Sequence, residues 1–206
     1  MIIIYIIAVV IIVWSVWGYF GSRVEQTDYT VVKKTKNYEV RRYPEHLVAQ
    51  TTVPGLYQVA LNKGFRIIAG YIFGDNVKKE KIAMTAPVTE QKLASEKIAM
   101  TAPVLATTDG DSHIISFGMP RTYTAESLPI PNDPRVKIVS VPAKTYAVLR
   151  FTGWRIDVKT EKMKDKLLSA LRHDSISVNG TPIYAGYNAP WTPPWMTRNE
   201  VMVELK

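Results

Sequence analysis

The first twenty residues, Met1–Phe20, contain no charged side chain. Ile2, Ile3, Ile4, Ile6, Ile7, Ile11 and Ile12 run together with Val9, Val10, Val13 and Val16. As a helix rising ~1.5 Å per residue, this stretch spans roughly 30 Å, the thickness of a bilayer's hydrocarbon. About a dozen Ile, Val and Phe residues at roughly −0.4 kcal/mol each give an insertion free energy of about −5 kcal/mol. Trp14, Trp17 and Tyr19 gather at one end, where amphipathic rings favour the headgroup region. A cleavable signal peptide is the competing reading. It requires Lys or Arg before the apolar run and a small-x-small site after it. Nothing basic precedes Ile2, and Gly18-Tyr19-Phe20-Gly21-Ser22 is a poor site. Residues 1–20 are therefore expected to form an uncleaved transmembrane anchor, 21–36 a linker, and 37–206 a folded body. Arg23, Lys33, Lys34 and Lys36 lie just past the span and favour a cytoplasmic body, although a short signal anchor can also export the domain attached to it.

With an uncharged anchor, the whole formal charge of +8 falls on residues 21–206. A solvated basic surface, anionic lipid beside the anchor and an acidic ligand all fit that excess. Helix-turn-helix, zinc-finger and RNA-binding signatures are missing, so nucleic acid is not an expected partner. The absence of cysteine removes disulfide scaffolds, zinc–thiolate sites, iron–sulfur clusters and thiol nucleophiles. Thirteen prolines and eleven glycines point to many turns and short strands.

From Asn37 the chain reads as short strands interrupted by two helical windows. Tyr38–Tyr43 alternates and stops at Pro44, and His46–Val53 ends at Pro54-Gly55. Leu61, Phe65, Ile68 and Ile72 then recur at helical spacing within Leu56–Phe73, and Gly74 closes the window. Val136–Val141 and Thr145–Phe151 repeat the strand pair, with a helical window after them over Asp157–Arg172. A slide of 98 residues sets Pro44 on Pro142, Ala49 on Ala147 and Gly55 on Gly153. The shared strand–strand–helix order suggests two fused halves about a pseudo-twofold. The expected class is α+β: a distorted antiparallel β-barrel flanked by two helices, built from two pseudo-repeated halves and preceded by an N-terminal transmembrane helix. A second repeat is local. Glu80–Val88 recurs identically as Glu96–Val104, with Ile, Met and Val at even spacings of two and four as on one strand face, and residues 89–95 long enough for a hairpin loop.

The catalytic inventory is thin. His46, His113 and His173 have no metal-binding spacing, no Ser lies in a G-x-S-x-G context, and no glycine-rich phosphate loop is present. The expectation is a binding protein and not an enzyme. Were there turnover, Asp75, Glu80 and Glu96 are the acids to screen. Tyr187–Trp195, with Pro190, Pro193 and Pro194, is a stiff aromatic segment able to strap the body or to wall a flat ligand, with Arg198 beside it. Met84, Met100 and Met119 add soft, adaptable surface.

Several blocks resemble the SOUL haem-binding protein family: YEVRRY at Tyr38–Tyr43, FRIIAGYIFGDN at Phe65–Asn76, KIAMTAPV at Lys81–Val88 and FGMP at Phe117–Pro120. VPAKTYAVLRFTG at Val141–Gly153 and YNAPWTPPWMTRNEV at Tyr187–Val201 continue the likeness in the family's order. The resemblance implies a two-helix distorted barrel, similar also to the effector-binding domains of certain multidrug-sensing regulators. It further implies noncovalent binding of haem or a related tetrapyrrole, with other hydrophobic small molecules as the alternative ligand. Porphyrin propionates would then engage Lys63, Arg66 or Arg198. Val59, Phe65, Ile68, Met84 and Trp191 are the candidates for apolar contact. Some family members carry an axial histidine in the first block where this chain has Arg42. His46, just past Pro44, is the nearest candidate for that role.

Overall fold

The computed structural model describes residues 1–21, 25–78, 95–154, 157–189 and 191–206. The uncharged run forms α1 (Ile2–Gly21), a helix long and apolar enough to cross a membrane, with a mean hydropathy of 2.5 over Ile2–Tyr19. Next come β1 (Glu25–Gln26), β2 (Thr30–Lys34), β3 (Glu39–Tyr43), β4 (His46–Pro54), α2 (Tyr57–Ile72) and β5 (Asn76–Val77). The chain continues through β6 (Thr101–Ala102), β7 (Val104–Asp109), β8 (Ser112–Gly118), β9 (Ile130–Pro131), β10 (Lys137–Val141) and β11 (Lys144–Phe151). It ends with α3 (Asp157–His173), β12 (Val178–Gly186), a 3₁₀ turn at Pro194–Met196 and β13 (Asn199–Leu205).

Nine strands pair in the order β10-β4-β8-β7-β12-β13-β11-β3-β2, every neighbour antiparallel. Exchange β10 with β3, β4 with β11, β8 with β13 and β7 with β12, and the first eight members of that order, β10 to β3, read the same from either end. The strand order thus mirrors the 98-residue echo in the sequence. Among the described residues β10 and β2 are free edges, so the sheet is a curled half-barrel and not a closed barrel. Within the stretch expected as a linker, β2 joins this sheet beside β3, and β1 pairs in parallel with β6 as a separate two-stranded sheet.

Both helices of the body cover one face. In α2, Ala60, Leu61, Gly64, Ile68, Tyr71 and Ile72 are buried while Asn62, Lys63 and Arg66 are exposed, the stripe that helical periodicity requires. The helix stops where the Phe73 N–H reaches the Ala69 carbonyl and Gly74 takes φ +118°, a conformation that suits glycine. Beneath α2 lie Ala49, Val53, Ile115 and Phe117; beneath α3 lie Val40, Ala147, Leu149, Val201 and Val203. Strand side chains alternate between faces. The opposite face therefore presents Tyr43, Val148, Ala185 and Met202, which form their own cluster with Tyr29 and Tyr187.

The first nine-residue copy, with Glu80 and Met84, lies outside the described residues, as does the expected hairpin loop up to residue 94. The second copy is not one continuous strand: Thr101–Ala102 forms β6, and Val104 opens β7 beyond Pro103. Its earlier part is tied to α2's end. The Ile98 N–H donates to the Ile72 carbonyl at 2.8 Å, and Asn76 both donates to the Glu96 carbonyl (2.8 Å) and accepts from its N–H (3.0 Å).

Gly64 is where α2 comes closest to the sheet, because a Cβ there would stand 2.8 Å from Ile115 side-chain atoms. Gly64→Val is expected to lower stability by about 1–3 kcal/mol through overpacking. Thermal unfolding in detergent micelles, monitored by circular dichroism, reads this, and an unchanged midpoint would contradict the packing described.

Candidate functional site

On the helix-bearing face a cleft of about 280 Å³ lies over the β7–β12 seam, where the two mirrored half-sheets meet. Leu61, Asn62 and Phe65 of α2 form one wall, and Val104, Tyr184 and Gly186 the floor. Trp154 and the strap residues Asn188, Thr192 and Thr197 close the other side. Phe65 is braced by Phe117, ring centroids 5.3 Å apart. The polar groups are firmly placed. The Tyr184 hydroxyl donates to Asn199 Oδ1 at 2.6 Å, and Asn199 Nδ2 donates to the Gly153 carbonyl at 2.9 Å. Thr192 is buried, yet its Oγ1 has no hydrogen-bond partner among the described residues.

A second hollow, about 150 Å³, lies on the opposite face among Tyr43, His46, Leu105, Tyr146 and Met202. His46 falls there because Leu47 packs into the core beneath α2, and neighbours in a strand point to opposite faces. Its Nδ1 lies 2.9 Å from the Pro44 carbonyl oxygen. His46 and Phe65 therefore do not share a site.

The remaining candidates separate as well. Lys63 and Arg66 are exposed on α2, as is Val59 in its first turn. Ile68 is fully buried against the sheet, where it serves packing and not ligand contact. Trp191 is exposed on the strap, and Met84 lies outside the described residues. Arg198 does not stand free at a cleft mouth. Its guanidinium donates to Glu200 Oε1 (2.9 Å), Gln26 Oε1 (2.8 Å) and the Tyr29 hydroxyl (3.3 Å), and it stacks 3.8 Å above the Tyr187 ring.

Glu200, completely buried, organises that cluster. Arg41 Nη1 donates to Oε2 at 2.9 Å and the Tyr187 hydroxyl donates to the same oxygen at 2.7 Å. Burial pushes the Tyr187 phenol up, and the Glu200 charge adds to the shift, so the group remains a donor. Burial likewise raises Tyr43. Burial works against the charge of Arg41, and Glu200, Tyr43 and Glu39 together more than offset it. Of the acids named for turnover, Glu96 accepts from the Tyr123 hydroxyl at 2.6 Å, a bond that with burial raises Tyr123 to about 12. Asp75 accepts from Asn132 at 3.0 Å. Neither lines the cleft. Among the described residues no cluster of three His, Asp or Glu side chains is arranged to hold a metal ion.

An open antiparallel sheet of mirrored halves, two helices on one face and a cleft on the seam define a class of α+β folds. The crystal structure of the EcmrR C-terminal domain shares it with a TM-score of 0.54 at 10% identity, over 86% of this chain and 98% of that one. A structure described as a hydrolase from Listeria innocua shares it with a TM-score of 0.51 at 12% identity, over 85% and 94%. At such identities the likeness concerns the fold alone. In sequence, the family described as SOUL heme-binding protein matches residues 24–95 and 89–204, two matches that overlap between the copies of the nine-residue repeat. Heme-binding protein 2 of Mus musculus is 29% identical over 180 residues, covering 82% of each chain. Heme-binding protein 2 of Homo sapiens is 30% identical over 156 residues, 75% of this chain and 71% of that protein. The chain belongs to the SOUL haem-binding protein family.

Glu200→Gln is expected to cost about 3–5 kcal/mol, since it leaves half-buried Arg198 without a carboxylate and buried Arg41 with Glu39 alone. Chemical denaturation of the full chain in micelles measures this, and a loss below that range would demote the cluster to a minor contributor. Three other acids make stability depend on pH. Glu39 is held below its usual value of 4.5 by Arg41, Glu204 below 4.5 by Lys144, and Asp174 below 3.8 by the Tyr38 hydroxyl. Depressed carboxylates stabilise fully above their unfolded pKa, and that contribution is lost as pH falls through the lowered folded values. The unfolding midpoint should therefore fall on acidification below about pH 4.5, and Glu39→Gln with Glu204→Gln should flatten the profile.

Proposed function

We propose that this protein is a membrane-anchored carrier that binds haem or a related tetrapyrrole noncovalently in the seam cleft, and sequesters or delivers it without chemical turnover. The observation that carries the reading is the position of the cleft. It lies between α2 and the tryptophan-bearing strap, with apolar Leu61, Phe65 and Trp154 in its walls and exposed Lys63 and Arg66 on the same helix. Membership of the SOUL family supports the ligand class. The fit is partial in volume. Ligand sites usually enclose about 300–1,000 Å³, so at about 280 Å³ the cleft would grip one edge of a macrocycle and leave the propionate edge toward solvent. There the two basic side chains would meet the carboxylates. The lining groups are amides, hydroxyls and apolar surface, which orient a ligand; this supports binding over catalysis. Bound haem would bring its own iron chemistry, and His46, on the other face, would not ligate it in the seam cleft. The small volume also favours a second reading, a binding module for smaller hydrophobic molecules.

Residues 1–20 are proposed to remain as the anchor, with Lys33, Lys34 and Lys36 favouring a cytoplasmic body. Titrating the full chain in nanodiscs with haemin and with metal-free protoporphyrin tests the ligand. A saturable Soret shift with quenching of tryptophan emission is expected for both. Lys63→Ala with Arg66→Ala should weaken binding about tenfold, or about 1.4 kcal/mol, while His46→Ala leaves the spectrum unchanged. A flat titration would overturn the tetrapyrrole reading in favour of smaller ligands.

A further inference from the structure

All five tryptophans of the chain gather where α1 meets the body. Trp14 Nε1 donates to the Trp191 carbonyl at 2.8 Å, and its ring meets Trp195 edge-on at 5.3 Å and Trp154 at 6.5 Å. Gly18 lies so close to Pro193 that any side chain there would overlap the proline ring. Trp17 and Trp191 line a groove of about 530 Å³ beside Val9, Val10 and Val13. Yet Trp17, Trp154, Trp191 and Trp195 remain 68%, 50%, 57% and 52% exposed. Large aromatic surface left open beside an apolar helix calls for a partner.

The place of the contact on α1 says which one. Trp14 and Gly18, which meet the strap, lie within the last eight residues of α1 beside Trp17 and Tyr19, at the end of the apolar run where amphipathic rings favour the headgroup region. The strap that touches Trp14 therefore lies at the membrane face when α1 crosses the bilayer. We propose that Trp154, Trp191 and Trp195 form a docking rim seated in the headgroup layer of a lipid bilayer, which sets the mouth of the seam cleft against lipid. Indole rings suit that depth, with an apolar body and one N–H donor. Trp154 and Thr192 belong to the cleft wall, and the strap that carries Thr192 also carries Trp191 and Trp195. A ligand dissolved in the lipid thus enters without crossing water. This inference rests on α1 being retained as an anchor.

The chain has no cysteine, so single labels can be placed cleanly. W191C preserves the Trp14 bond, which goes to the backbone carbonyl; R172C, in the last turn of α3, serves as the distant control. Each full-length variant carries an NBD probe in phosphatidylcholine–phosphatidylglycerol vesicles with and without lipids brominated near the headgroup. The probe at position 191 should shift to the blue and lose about half its emission to brominated lipid, as an interfacial site would. The probe at position 172 should do neither. Extraction by alkaline carbonate would remove the anchor reading and the rim with it. A protein that resists extraction while position 191 is quenched by aqueous iodide and not by brominated lipid would overturn the rim alone. Dimer-sized cross-links with a blue shift insensitive to brominated lipid would assign the rim to a second copy of the chain, and overturn it equally.

Discussion

The body depends on one short ladder. β7 and β12 pair through only three rungs, Ala106 with Tyr184, Leu105 with Ala185 and Val104 with Gly186, yet this pairing joins the two mirrored half-sheets. A helix sits on each half, so the space above the join is covered by neither core. That geometry makes the cleft a consequence of fusing two units. Each half buries its own apolar face beneath its own helix, and the seam between them is left to Phe65, Trp154 and the strap. Gly186 belongs to the same constraint, since a Cβ there would press on the Tyr184 hydroxyl at 3.0 Å.

The opposite face is held by charge. Glu200 takes Arg41 from β3 and Arg198 from the segment before β13, and Tyr187 fills the remaining position on Oε2. Replacing such a group by well-packed apolar side chains is often neutral or stabilising, so its presence is not evidence of exceptional stability. What it does supply is direction. The carboxylate ties the outer strand β3 and both ends of the strap, Tyr187 and Arg198, to one point on β13. The stretch that carries Thr192 and Trp191 is thereby fixed at each end.

Much of the fold was legible because proline and glycine punctuate it. Pro44, Pro54-Gly55 and Pro142 end strands close to where the structure ends them, and the stripe of Leu61, Ile68 and Ile72 marks the buried face of α2. β2 was missed for a physical reason. Thr30–Lys34 is an edge strand exposed along its whole length, so no alternation betrays it. The duplicated segment misled in another way: its period-two apolar pattern reads as a strand, but Pro103 interrupts the ladder and Asn76 supplies the hydrogen bonds before it. At the site, Lys63 and Arg66 were readable as the polar side of a helix. The opposed parity of His46 and Leu47 was also readable, and it separates the histidine from Phe65. Arg198 and Glu200 stand two apart, the spacing that brings side chains to one side of an extended chain, so their pairing had a signal in the sequence even though Arg198 reads equally well there as a free cation. The joining of Asn62, Trp154, Asn188 and Asn199 around one cleft had none, because it depends on how the half-sheets meet.

Anchoring changes what a small cleft can accomplish. A flat amphiphile with a greasy ring partitions into lipid, so its concentration near a tethered protein far exceeds that in water. A site that grips only one edge of such a molecule has modest intrinsic affinity, since the ring's other surface gains nothing from the protein. Placed at the headgroup layer, the same site would leave the ring's remaining apolar surface against lipid and its carboxylates at the polar level, and would lose less on binding. The contact of Trp14 and Gly18 with the strap therefore matters beyond holding the body to α1. With α1 retained as the proposed anchor, it would set the height and tilt of the cleft relative to the span, and a longer or looser connection would return the cleft to water, where partial enclosure is a disadvantage.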